Sequence, residues 1–237
     1  MVTSTSPTVV LVHGAFADAS GFAGIISELV SAGIDVVVPP NPLRGLASDA
    51  DAIGSVVRAI EGPVVLVGHS YGGAVITQAS PSLKNVIALV YLAAFGLDIG
   101  ESCASAAAPF PAALLASTNV PTSYDAPGAV GGPDLYIDRS RFRETFCADV
   151  PVGLSTVLEA TQRPLAAAAF TENATAAGWK TLPSWFLVSV HDNAIPPDAE
   201  RMFATRMGAT TEEIDGSHLA FVAQPVRVAN FIKTALG

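Results

Sequence analysis

The stretch Val64-Val65-Leu66-Val67-Gly68-His69-Ser70-Tyr71-Gly72-Gly73 constrains this chain more than any other. A β-branched apolar run stops at Gly-x-Ser-x-Gly, and a helix-compatible run from Ala74 to Ser80 starts at once. A chain that turns this sharply from strand to helix carries the central serine on a strained backbone, its hydroxyl clear of the sheet. The flanking glycines, Gly68 and Gly72, have no Cβ to hold strand and helix apart. The helix start leaves free N–H groups beside the serine, where negative charge can develop on a bound carbonyl. Ser70 is therefore the candidate nucleophile.

A strand of this kind needs a large apolar core around it. The chain has 237 residues, half of them hydrophobic and 14% charged. That fits one α/β domain with strands buried on both faces, and it excludes disorder. Asp and Glu outnumber Lys and Arg by 21 to 12. An acidic chain does not attract phosphate backbones or anionic lipids, so neither nucleic acid nor membrane is expected as a partner. The longest apolar stretch, Val86 to Leu97, is about half of the ~20 residues a membrane span needs. Met1 to Thr8 has no basic residue, and the apolar run Val9 to Val12 is too short for a secretory leader, so the expected location is cytoplasmic. Cys103 and Cys147 form no Cys-x-x-Cys and have no histidine at metal-ligand spacing. They read as free, buried thiols, with a bridge between them left open.

Along the first half, strand and helix patterns alternate. Thr8 to Val12, Ile34 to Val38, Val64 to His69 and Val86 to Leu92 read as strands; Gly21 to Ala32 and Leu46 to Ile60 read as helices. The alternation predicts βαβ units and a parallel sheet. It stops near Leu97 and resumes near Leu182. The segment between is rich in Ala, Pro and Gly, with helical runs at Ser140 to Ala148 and Leu154 to Gln162 and no clear apolar strand. It reads as a mainly helical cap, residues 97–182, inserted into a single-domain core formed by 1–96 and 183–237. Then follow a strand at Trp185 to Val190, a helix at Asp198 to Met207, a strand at Thr210 to Ile214 and one closing helix from Leu219 to Leu236.

A serine hydroxyl is a weak nucleophile and needs a base, most often histidine. Of four histidines, His69 is fixed inside the elbow, His13 ends the first strand and His191 ends a later one. His218 lies in the turn Asp215-Gly216-Ser217-His218, at the carboxyl end of the last strand, where loops of a doubly wound sheet gather over one edge. It is the expected base. The carboxylate that orients it is expected from Asp192, just past strand Trp185 to Val190, with Asp98 as rival; the order Ser, Asp, His is the one this elbow carries. The loop His13-Gly14-Ala15-Phe16 should lie beside the elbow, so the N–H groups of Ala15 and Tyr71 are the expected oxyanion donors. His13 itself reads as a residue bracing that loop. Phe16, Phe142, Phe146 and Leu219 are expected around an apolar substrate pocket.

With these residues in place, the chain resembles the α/β-hydrolase superfamily, and within it the branch of plant methylesterases, hydroxynitrile lyases and small bacterial esterases. The resemblance is carried by His13-Gly14-Ala15, Gly68-His69-Ser70-Tyr71-Gly72-Gly73, Asp192 before Ile195-Pro196, and Gly216-Ser217-His218. It implies an α/β fold with six parallel strands in order 2-1-3-4-5-6, lacking the two strands that open the superfamily's full sheet. It also implies ester hydrolysis through Ser70, His218 and Asp192 without a cofactor or metal. Hydroxynitrile lyases of this kind have a threonine after the first strand's histidine and a lysine after the catalytic one. Here those positions are Gly14 and Leu219, which favours an ester over a cyanohydrin. A lactonase, such a lyase, and a ligand receptor without turnover stand as alternatives, since one fold hosts many functions. The expected partner is a small-molecule ester, with a homodimer left open. No triad residue falls in 97–182, so the cap is expected to set substrate choice and leave the chemistry alone.

Overall fold

The computed structural model describes residues 6–124 and 131–237. The first five residues, part of the stretch read for a leader, and residues 125–130 of the insertion lie outside the described residues. In chain order the elements are β1 (Thr8–Val12), α1 (Ala23–Ser31), β2 (Val36–Val37), α2 (Leu46–Arg58), β3 (Val64–His69), α3 (Tyr71–Ala79) and β4 (Val86–Leu92). The insertion contributes α4 (Cys103–Ala107), α5 (Leu115–Thr118), β5 (Asn119–Thr122), β6 (Asp134–Ile137), α6 (Phe142–Phe146), α7 (Val152–Ala160), β7 (Leu165–Ala166) and α8 (Ala167–Thr171). The core closes with β8 (Ser184–Ser189), α9 (Pro197–Met207), β9 (Thr210–Ile214), α10 (Ala220–Ala223) and α11 (Pro225–Lys233).

Six strands form one parallel sheet in the order β2-β1-β3-β4-β8-β9, which is the expected 2-1-3-4-5-6 when only core strands are counted. β3 is buried along its whole length, and β1 is buried from Val9 to Val12. Neither strand alternates, because helices cover both faces. The right-handed crossover rule puts α1 on one face and α2, α3 and α9 on the other. The strand order reverses between β1 and β3, so a crevice opens at their carboxyl ends. β9, at the edge, exposes Thr210 to Glu213 and buries only Ile214.

Two expectations are corrected. The single closing helix is two, α10 and α11, because Pro225 has no N–H to continue the first and instead opens the second. The insertion holds a small antiparallel sheet, β5-β6-β7, besides its helices. These strands are short, and Pro121 interrupts the first, so no apolar run marks them. Arg44, before α2, ties this sheet to the core through an ion pair with Asp134 at 2.6 Å.

Candidate active site

Ser70 sits between β3 and α3 at φ 55°, ψ −124°, a conformation that costs a non-glycine residue strain. The surroundings over-determine it. Its N–H donates to the Leu92 carbonyl at 3.3 Å, and its own carbonyl accepts from Gly73 at 3.0 Å and Phe95 at 3.1 Å. A Cβ at Gly14 would lie 2.6 Å from the Ser70 Cβ, and one at Gly72 would lie 2.2 Å from the Val12 carbonyl. The loop after β1 and the elbow are therefore in backbone contact. His13 spends both ring nitrogens on bracing this loop. Its Nδ1 donates to the Gly14 carbonyl at 3.0 Å, and its Nε2 accepts from the Asn41 N–H at 3.1 Å. Burial pushes its pKa down, consistent with the neutral ring those bonds require. Tyr71 opens α3, so its N–H has no acceptor within the helix.

Asp192 and His218 meet at the far side of this corner. His218 Nδ1 donates to Asp192 Oδ2 at 2.5 Å, both side chains fully buried. Asp192 Oδ1 accepts from the N–H groups of Ala194 at 2.6 Å and Ile195 at 2.8 Å. His218 Nε2 is buried and has no hydrogen-bond partner, so no hydrogen bond joins it to the Ser70 hydroxyl in this arrangement; such a bond commonly tightens only when substrate is bound. The two rivals lie elsewhere. Asp98 pairs with Lys180 at 2.5 Å, which holds its carboxyl below the usual range, and His191 pairs with Asp215 on the surface at 2.8 Å.

Ser70, Ala15 and Tyr71 open onto an apolar cavity of about 310 Å³. Phe16 and Phe146 line it as expected; Phe142 and Leu219 do not. Those two are about 1% exposed and pack behind Phe146 and Phe16, in the core under the insertion. Phe95, Phe110, Leu115, Leu135, Leu165 and Phe170 supply its larger faces, and the rest of the wall is small: Ala104, Ala107 and Ala108 at α4, then Pro111, Ala112 and Ala113. Sequence reasoning passed over these because alanine and proline carry no functional signature. Neither Lys, Arg, Asp nor Glu is among the lining residues.

Two further polar side chains, His69 and Asp149, hold the segment of His218. His69 Nε2 donates to the His218 carbonyl at 3.1 Å, and the two rings lie 4.6 Å apart. Burial and the neighbouring imidazole push His69 well below the ordinary histidine range, so it is neutral. Asp149, just past α6, accepts from the Ser217 N–H at 3.1 Å and from the Ser217 hydroxyl. The Phe146 carbonyl accepts from the Leu219 N–H at 3.2 Å. The insertion thus grips the turn that carries His218. Nothing in the sequence signals Asp149, which lies 68 residues from Ser217. Glu200 on α9 is fully buried. It had a readable signal: Glu200, Phe203 and Ala204 share one helical face at i, i+3 and i+4.

Both cysteines are free and buried, and burial pushes the Cys147 thiol up to about 12. Among the described residues, no group of three or more His, Cys, Asp or Glu side chains is placed to hold a metal ion.

A parallel sheet in this order with a serine at its switch-point elbow defines an α/β-hydrolase architecture, and the comparison with known families agrees. The chain belongs to the alpha/beta hydrolase family, whose model matches residues 9–231. It is similar to a probable hydrolase, R7, of the fungus Phoma sp., with 27% identity over 98% of this chain and 99% of that one. Among solved structures it is similar to polyneuridine aldehyde esterase, with a TM-score of 0.81 and 19% identity over 97% of this chain and 98% of that one. It is also similar to an extracellular alpha/beta-hydrolase from a Paenibacillus species, with a TM-score of 0.76 and 21% identity over 97% and 98% of the two chains. That likeness overturns the cytoplasmic expectation, because the same fold serves a protein described as extracellular. The reason is physical: a large apolar core stabilises this fold without disulfides, so a bridge-free chain is not tied to a reducing compartment. Among the described residues, no helix is long and apolar enough to cross a membrane.

Proposed function

We propose that this chain is a serine carboxylic-ester hydrolase acting on small to medium apolar esters. The observation that carries this reading is a serine held at a strained strand–helix turn on an apolar cavity, with a buried His218–Asp192 pair whose Nε2 is free. Ser70 Oγ attacks the ester carbonyl carbon while its proton passes to His218 Nε2. Asp192 stabilises the imidazolium, and the N–H groups of Ala15 and Tyr71 hold the oxyanion. Collapse breaks the bond to the alcohol oxygen, which leaves with the proton from His218. Water then attacks the acyl carbon while its proton passes to His218 Nε2, and collapse breaks the bond to Ser70 Oγ, which takes that proton back as the acid departs.

The cavity supports the substrate class. With no cation or carboxylate in its lining, it would desolvate a charged head group without compensation. Its size suits the lower end of small-molecule sites. Residues 97–182 act as the cap over the core formed by 1–96 and 183–237. The lyase reading is disfavoured, since Leu219 is an apolar residue packed off the cavity where such a lyase would need a cation.

The test is turnover of an aryl ester together with labelling by a fluorophosphonate. Ser70→Ala is expected to lower hydrolysis by about 10⁴-fold or more and to abolish labelling. Hydrolysis and labelling that survive in the alanine variant would overturn the nucleophile. Cyanide release from mandelonitrile faster than ester turnover would restore the lyase, and binding without turnover would make the chain a receptor.

A further inference from the structure

Behind Asp192 lies a second carboxyl group that the mechanism above does not use. Glu200 is fully buried on α9, eight residues after Asp192. Its Oε2 accepts from the Ser189 N–H at 3.1 Å, and its Oε1 has no donor within the protein. This buried oxygen is therefore unpaired, and the Asp192 carboxylate is the charge that acts on the group most strongly. Two carboxylates offer only acceptors to each other, so a hydrogen bond between them requires that one carry a proton, and a buried carboxylate oxygen without a donor is costly to leave charged. The partners decide which. Asp192 accepts from three donors: His218 Nδ1 and the N–H groups of Ala194 and Ile195. Glu200 accepts from one.

We propose that Glu200 is kept neutral and donates its proton to Asp192, as a positioning residue that fixes the carboxylate against His218. The proposal rests on the Ser70, His218 and Asp192 reading. The groups facing Glu200 agree with it. β8 offers only the Ser189 amide, and the loop after β8 offers the negative Asp192. His218 stands beyond Asp192, from the turn after β9. On its own helix, Arg201 opposes the shift weakly, being turned outward to Asp198 and to Glu213 of β9. Burial first, then the Asp192 charge, push Glu200 well above the ordinary carboxyl range.

The arrangement separates what a carboxylate must do from what holds it. Asp192 spends one oxygen on His218 and the other on backbone. A neutral acid adds a donor without adding a positive charge that would compete with the imidazolium. A glutamine amide could do the same without titrating, and a methionine could fill the volume without donating.

The experiment compares wild type with Glu200→Gln and Glu200→Met. Infrared difference spectra at neutral pH, wild type minus Glu200→Gln, are expected to show the carbonyl stretch of a neutral carboxylic acid. Glu200→Gln should keep kcat within about threefold, and Glu200→Met should lose roughly tenfold to a hundredfold in kcat with KM little changed. Stability adds a sign. The native state keeps a proton that the unfolded chain releases above the ordinary glutamate pKa of roughly 4.3, so native stability falls as pH rises. Glu200→Gln removes that loss, so its Tm should exceed that of wild type at alkaline pH, with the gap closing as pH falls toward about 4. A carboxylate band at this position, equal kcat in the two variants, or a Tm gap that widens toward acid would overturn the proposal. If Glu200→Met does not fold, the band and the glutamine variant still decide. The band and the Tm trend do not depend on turnover, so they separate this proposal from failure of the Ser70 mechanism.

Discussion

Around Ser70, backbone presses on backbone: Gly14 and Gly72 sit where any Cβ would collide with the serine or with the Val12 carbonyl. Across the cavity, the insertion presents methyl groups and a proline ring at Ala104, Ala107, Ala108 and Pro111, beside larger apolar side chains at Phe110, Leu115 and Phe170. The first region tolerates almost no change, since its geometry is set by contacts below van der Waals distance for any larger residue. The second is a wall whose shape changes by single methylenes while the turn beneath stays put. The two regions are thus built from different materials, and one of the places where they meet is the turn before α10. There Asp149 and the Phe146 carbonyl, both from the insertion, hold the turn of His218.

The largest expected effect tests the framework side. Asp192→Asn should lower kcat by about 10³–10⁴-fold, because the asparagine can no longer hold the imidazole tautomer, while Asp98→Asn should change little. Steady-state kinetics of the two variants checks this, and a reversed result would move the orienting acid to the end of β4. A smaller effect tests the wall. Ala107→Leu should shift the ratio of kcat/KM between short and bulky acyl esters by roughly tenfold, at about 1–3 kcal/mol per added methylene where the fit is tight. Its rate of labelling by a small fluorophosphonate should stay within about twofold of wild type. A proportional loss on every ester would mean that the wall also positions the reaction. The smallest effect tests the meeting place. Asp149→Ala should lower kcat by about three- to tenfold with the preference among esters unchanged, because it loosens the Ser217–His218 turn through a lost hydrogen bond to a charged group. A change in preference instead would assign Asp149 to the wall.

Much of this was legible beforehand, and the reason differs by residue. The strands β1, β3 and β4 are continuous apolar runs and β9 is a β-branched segment between turns, so their positions follow from pattern alone. The pattern failed at α10 and α11, where the apolar period runs on but Pro225 cannot. In the insertion, β5 to β7 are too short and too mixed to show a period. Phe142 and Leu219 were expected at the pocket because large apolar residues near a site can face either the cavity or the core. Only packing distinguishes the two, and it placed both in the core.

The sequence by itself determined the strand–elbow–helix unit, the parallel character of the sheet and the place of Ser70 in the elbow, since these depend on local backbone sterics and on periods of a few residues. The tertiary structure alone decided which small side chains wall the cavity, that Asp149 reaches Ser217, and that Glu200 is buried against the Ser189 amide. Those contacts join segments whose separation along the chain carries no period, and their energies exist only once the sheet has brought the segments together.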